Sequence, residues 1–143
     1  MPQPTIRRYM SESPVVIDQE RTLADAHDLL RRHAIRHLPV LHRGRLVGVV
    51  SQRDLYLLET LRGVDITTEK VAEAMTADPF TTAPDAPLAE VAARMAEHKY
   101  GCAVVVEGET VVGVFTTIDA CRALAAVLRR ARRVPLGAGP RPA

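Results

Sequence analysis

The chain has 143 residues, room for one compact domain or two small motifs sharing a core, and its 47% hydrophobic content is ample for burial and excludes disorder throughout. No apolar run reaches the roughly 18 residues a membrane helix requires. The opening MPQPTIRRYM lacks the apolar centre of a signal peptide, so the sequence reads as that of a soluble, cytoplasmic protein.

The net charge of +2 conceals an asymmetry: residues 1–121 hold thirteen Lys/Arg against seventeen Asp/Glu, whereas residues 122–143 hold six Arg and no acid. A nucleic-acid face spread over the body is thereby disfavoured, and with no Trp, two Phe and three Tyr there are few platforms on which bases could stack. Cys102 and Cys121 form neither a disulfide framework nor a metal-ligand spacing, which suits a reducing compartment.

Sliding the sequence against itself by 65 residues aligns its two halves without a gap. Met10, Pro14, Leu23, Ala24, His33, Val40, Val47, Gly48, Val49 and Asp54 fall on Met75, Pro79, Leu88, Ala89, His98, Val105, Val112, Gly113, Val114 and Asp119. In chain order, each copy begins with a short helical lead, Thr5–Tyr9 or 69–74, followed by an extended piece, Pro14–Ile17 or 79–82. A helix follows, opened by Thr22 or Pro87, with a buried stripe predicted from Leu23, Ala26 and Leu30 or Leu88, Val91 and Met95, and an end near His33 or His98. Two continuous apolar runs then flank Arg43-Gly44 or Gly108-Glu109, the pattern of a hairpin whose strands are covered on both faces. A second helix begins at Ser51 or Thr116 and carries Leu55, Leu58 and Leu61, or Leu124, Val127 and Leu128.

The expected fold class is therefore α/β (α+β): tandem β-α-β-β-α repeats packed with pseudo-twofold symmetry, because so small a three-stranded unit leaves an apolar face that only its twin can cover. Residues 62–69 are expected to form a surface linker, and residues 131–143 a basic, Pro/Gly-rich, disordered tail.

Each copy ends its last strand in the same kind of string, Gly48-Val49-Val50-Ser51-Gln52-Arg53-Asp54 and Gly113-Val114-Phe115-Thr116-Thr117-Ile118-Asp119. Two readings of it compete. Free N–H groups at a helix start, with a hydroxyl beside them, can seat a phosphate; a carboxylate one turn on can accept the hydroxyls of a ribose; and a strand glycine lets a flat ring approach the backbone. Equally, S-x-x-D and T-x-x-D are capping-box spacings that need no ligand.

The repeat, the β-α-β-β-α order, the run Ile35-Arg36-His37-Leu38-Pro39-Val40 and the two strings together resemble the paired CBS domains, or Bateman modules, over roughly residues 5–130. The resemblance implies repeats at 5–61 and 70–130, and a ligand sensor rather than an enzyme. It implies an adenosine-type regulatory ligand (AMP, ADP, ATP or S-adenosylmethionine) bound in clefts between the repeats, with no further cofactor. It also implies a homodimer and a separate effector protein. Carried over by position, Ser51 and Thr116 would contact phosphate or ribose, Asp54 and Asp119 the ribose hydroxyls, and Ile17 and Thr82 the base.

Arg36 resembles the position at which nucleotide-binding members carry a basic phosphate contact. The second copy departs from this pattern, reading Tyr100-Gly101-Cys102 with no cation. Unequal sites are expected, the tighter one where Arg36, His37 and Arg53 reach the phosphates. S-adenosylmethionine, with no phosphate and a positive sulfonium, is less suited to that basic cluster. A ligand-free dimerisation or interaction scaffold is the rival reading.

His33, His37 and His42 are predicted on a helix end, a strand start and a turn, so convergence on a metal is not expected. No glycine-rich phosphate loop or nucleophile elbow occurs. The Arg129–Arg133 cluster either contacts a polyanion or solvates the last helical turns. Leu55, Leu58, Leu124 and Leu128 are candidates either for a dimer interface or for the core.

Overall fold

A computed structural model describes residues 3–12, 14–61 and 63–132. After a 3-10 turn at Ile6–Arg8 come β1 (Ser11–Glu12), β2 (Ile17–Asp18), α1 (Leu23–His33), β3 (His37–His42), β4 (Arg45–Ser51) and α2 (Gln52–Glu59). The second copy follows with α3 (Val71–Ala74), β5 (Thr76–Ala77), β6 (Thr81–Thr82), α4 (Leu88–His98), β7 (Cys102–Glu107), β8 (Thr110–Thr116) and α5 (Thr117–Arg132). The β-α-β-β-α order is present in both.

Local chemistry explains the boundaries. Thr22 Oγ1 accepts from the Asp25 N–H while the Asp25 carboxylate accepts from the Thr22 N–H, so α1 opens with a closed capping box. Pro87 opens α4 without a side-chain cap. Both helices end in a left-handed residue, Ala34 or Lys99, and bury the predicted stripes. Arg43 and Gly44 both have positive φ, the geometry of a tight primed turn between β3 and β4. The same register shift recurs at Val40/Leu41 and at Val105/Val106, so even the bulge is duplicated.

Two four-stranded sheets result, ordered β1-β8-β7-β6 and β2-β3-β4-β5. The leads cross over: β1 pairs with β8 of the second copy, and β5 pairs with β4 of the first. Ile6 accordingly packs among Leu88, Val91 and Phe115, and Val71 among Leu23, Leu38 and Leu55. Each copy thus supplies the edge strand and one core residue of its twin, and the repeats divide the sequence at different points from those at which the cores divide the structure. Leu38 and Val40 face the helices, while alternation turns the equally buried Pro39 the other way, toward the seam where β4 meets β8.

Residues 63–69 lie over the start of α1, where the Ile66 and Glu69 carbonyls accept from the N–H groups of Ala24 and Leu23. The expected tail divides: residues 131 and 132 continue α5, and residues 133–143 lie outside the described residues. Leu55 is buried and Leu58 packs against the first core, whereas Leu124 and Leu128 are exposed; the core contacts of α5 come from Ala120 and Ala123. Among the described residues no helix is long and apolar enough to cross a membrane.

Candidate ligand-binding clefts at the seam

The two strings fall at the junctions of β4 with α2 and of β8 with α5, and both form closed capping boxes. Ser51 Oγ accepts from the Asp54 N–H at 3.0 Å, and Asp54 Oδ2 accepts from the Ser51 N–H at 3.0 Å. Thr116 Oγ1 accepts from the Asp119 N–H at 3.3 Å, and Asp119 Oδ2 accepts from the Thr116 N–H at 2.9 Å. The capping reading is therefore realised in both copies, and the remaining carboxylate oxygens decide whether anything more can bind. Asp54 engages protein through Oδ2 alone among the described residues. Asp119 is buried, and its Oδ1 faces the Ser11 hydroxyl at 3.5 Å and the Arg122 guanidinium at 3.7 Å.

Each junction opens into a cleft completed by the other repeat. The first, of about 550 Å³, is lined by Ser51, Arg53 and Asp54 together with Asp78, Phe80, Lys99 and Tyr100. The second, of about 530 Å³, is lined by Thr116, Ile118 and Asp119 together with Ser11, Val15 and Ile35. Both volumes lie within the range of small-molecule sites. The 65-residue shift maps one lining onto the other, and the substitutions are systematic. Arg53, Phe80, Lys99 and Tyr100 of the first cleft correspond to Ile118, Val15, Ala34 and Ile35 of the second.

The first cleft is thus basic and aromatic where the second is aliphatic. Phe80 and Tyr100 stack at 5.0 Å between ring centroids, His98 also stacks on Tyr100 at 5.2 Å, and the Arg94 guanidinium lies 5.2 Å from the Phe80 ring centroid. Arg36, Arg53 and Lys99 stand in the first cleft without an ion-pair partner among the described residues.

Arg36 and His37 line both clefts. They sit on the pseudo-twofold opposite Gly101 and Cys102, and the His37 ring occupies the space above Gly101, where a Cβ would stand 2.9 Å from Nε2. Burial lowers the His37 pKa below the ordinary imidazole value, the Asp54 carboxylate opposes that shift, and the Arg36 charge adds to it. Burial also pushes the Cys102 thiol up to about 12, with a smaller contribution from Asp54.

Of the residues singled out from sequence, Arg36, His37, Ser51, Arg53 and Asp54 come together in the first cleft, and Thr116 and Asp119 in the second. Two do not belong. Ile17 is buried in the first core, and Thr82 pairs with Val105 in β6; neither lines a cleft. The loops that precede their strands, with Phe80 and Val15, form the walls instead. The glycines of the strings also have a different use from the one expected. A Cβ on Gly48 would meet Met75 Sδ and the Thr76 carbonyl, so the close approach is made by the crossing lead and not by a flat ring. Lys99, Tyr100, Phe80 and Asp78 were not legible as site residues, because each reaches the first cleft from the opposite repeat. Among the described residues no three His, Cys, Asp or Glu side chains converge as a metal site would require.

Comparison with known proteins places this architecture. A profile of the CBS domain matches residues 6–58 and again residues 71–126. The chain belongs to the CBS domain family. As a CBS pair it superposes on a protein from Vibrio cholerae described as an acetoin utilization protein (AcuB), with a TM-score of 0.82 and 30% identity, covering 94% of this chain and 99% of that one. The CBS pair of protein MJ0100, solved with 5'-methylthioadenosine and S-adenosyl-L-methionine, gives a TM-score of 0.80 and 25% identity over 88% of this chain and 99% of that one. The protein CBSX2, solved with AMP, gives 0.74 and 28% over 87% and 98%. Among curated proteins, the A-adding tRNA nucleotidyltransferase of Aquifex aeolicus is 32% identical over 120 residues, which are 83% of this chain and 14% of that enzyme. The chain therefore spans only a small part of that relative.

Proposed function

We propose that this CBS pair binds an adenine nucleotide, AMP, ADP or ATP, in the first cleft and acts as a regulatory module without catalysis of its own. The observation that carries this reading is the composition of that cleft: three cations without ion-pair partners among the described residues, the carboxylates of Asp78 and of Asp54, the latter with one oxygen to spare, and an aromatic pair, around about 550 Å³. The cations suit phosphate, the Asp54 carboxylate suits the ribose hydroxyls, and the Phe80 and Tyr100 rings add apolar wall against which a base could pack. AMP in CBSX2 and the adenosyl ligands in the MJ0100 pair support an adenosine-type ligand. A ligand that contacts both repeats shifts whichever of their arrangements it fits better, and an effector protein reads that shift.

The exposed Leu124, Val127 and Leu128 of α5 offer an apolar surface for self-association into a homodimer, and Tyr56 and Leu57 are exposed on α2. The unpaired thiols are in keeping with a reducing, cytoplasmic setting.

Titration calorimetry with AMP, ADP, ATP and S-adenosylmethionine tests the reading. Saturable binding of a phosphorylated ligand, weakened at least tenfold by Arg53→Glu, is expected. S-adenosylmethionine binding in preference to all three nucleotides would overturn the nucleotide assignment. A flat response to every adenosine compound would favour the ligand-free scaffold, to which the two closed capping boxes already give a structural purpose.

A further inference from the structure

Arg36 and His37 are the only described residues that line both clefts. The Arg36 carbonyl accepts from the Gln52 N–H at the start of α2 at 3.0 Å, which holds the segment against the first cleft. The matching carbonyl across the pseudo-twofold belongs to Gly101, which accepts from the Thr117 N–H at 3.2 Å and brings no side chain to the second. The first cleft has Arg53 and Lys99 besides Arg36, against the carboxylates of Asp54 and Asp78, so it keeps two cations for two carboxylates without Arg36. The second has Arg122, which already faces Asp119, and also contains the carboxylate of Glu12. Without Arg36 the second cleft has two carboxylates against one committed guanidinium, an unfavourable setting for a phosphate.

We infer that Arg36 is a single cation shared between the two clefts, so that an anionic ligand in the first withdraws it from the second and the clefts are antagonistically coupled for phosphorylated ligands. The inference rests on the nucleotide reading of the first cleft and extends it. One guanidinium satisfies one phosphate at a time, since a bidentate pairing uses its planar fork in one direction. The coupling is reciprocal: whichever cleft fills first with an anion weakens the other by the same factor. An uncharged adenosine draws no cation and leaves the second cleft unaffected. The pair would therefore accept two nucleosides, or one nucleotide and one nucleoside, more readily than two nucleotides.

The experiment compares the second cleft with the first filled and with the first disabled. AMP is titrated into the full chain while the Ser51 and Thr116 amide signals report which cleft fills. The titration is repeated with Asp54→Ala and, as an exposed substitution that leaves the cap intact, with Arg53→Glu. The expected result is that AMP enters the second cleft about tenfold more weakly when the first is occupied than when it is disabled, a factor within the usual range of coupling. With adenosine the ratio should be close to one, and Arg36→Gln should bring the AMP ratio to one as well. Equal ratios for AMP and adenosine, or an AMP ratio that survives Arg36→Gln, overturn shared use of Arg36 while leaving nucleotide binding intact. Absence of AMP from both clefts is a distinct result, which overturns the nucleotide reading and the coupling with it.

Discussion

Met75 lies directly over Gly48: a Cβ built on that glycine would stand 2.7 Å from the methionine Sδ and 2.8 Å from the Thr76 carbonyl oxygen. The twin contact is the same: a Cβ built on Gly113 would stand 3.0 Å from Met10 Sδ and 2.7 Å from the Ser11 carbonyl oxygen. Gly48 and Gly113 coincide under the 65-residue shift, as do Met10 and Met75, so a pair of identities seen in sequence proves to be one packing contact made twice.

Gly48→Ala and Gly113→Ala are therefore expected to destabilise the fold through the crossing leads. A methionine can swing aside, but the carbonyl belongs to an edge strand and cannot move without loosening its pairing with β4 or β8. Overpacking of this kind costs about 1–3 kcal/mol. Thermal denaturation should show each alanine variant melting several degrees lower, and an unchanged midpoint in both would mean that the leads are not held as described.

The periodicities of α1, α4 and the two hairpins were legible because local spacing alone determines them: Leu23, Ala26 and Leu30 share a face whatever they pack against. The capping strings were legible for the same reason. The exchange of leads was not, since nothing in Thr5–Tyr9 states which of two similar cores will receive Ile6. The consequence for the site is direct. Ser51 and Asp54 are local to one junction and were found, while Phe80, Lys99 and Tyr100 arrive from the other repeat and were missed. Ile17 and Thr82 lie outside both clefts because Ile17 is committed to the first core and Thr82 to the pairing of β6 with β7, while the lining residues Val15 and Phe80 stand two positions earlier, in the loops before β2 and β6, a placement that sequence pattern does not fix.

The two aspartates should differ when replaced. Asp54→Ala removes a cap bond from a half-buried site, a loss of about 1 kcal/mol, and should abolish the rise in melting temperature that AMP produces. Asp119→Ala should cost more in stability, because it strips a buried carboxylate from the Thr116 N–H and leaves the Ser11 hydroxyl and the Arg122 guanidinium without their acceptor. Its effect on the first AMP bound should be small. Denaturant titration of both variants with and without AMP checks the order, and equal stability losses with equal losses of binding would contradict the inequality of the clefts.

His37 makes stability depend on pH with a definite sign. Its pKa is lowered on folding, mainly by burial, so below the ordinary imidazole value of 6.5 the unfolded chain takes up a proton that the folded chain refuses. Stability contributed by the neutral ring is fully present above that value and is lost progressively as the pH falls from it toward the lowered folded value. Denaturant midpoints measured from pH 7.5 down to pH 5 should therefore decline, and His37→Asn should flatten the part of the slope that belongs to this ring. A slope that His37→Asn leaves untouched would assign the dependence to other groups.

The two thiols should be chemically distinct. Cys102 is buried beside the first cleft and its pKa is pushed up to about 12, mainly by burial, so almost none of it is thiolate at neutral pH. Cys121 is exposed on α5. Treatment of the native protein with iodoacetamide at pH 7.5 should modify Cys121 and spare Cys102, and both should react once the chain is unfolded in denaturant. Because Cys102 lies on the wall of the first cleft, its slow labelling in the native protein reports access through that cleft. AMP bound there should slow that rate further, and a rate indifferent to saturating AMP would place the nucleotide elsewhere than against Gly101 and Cys102.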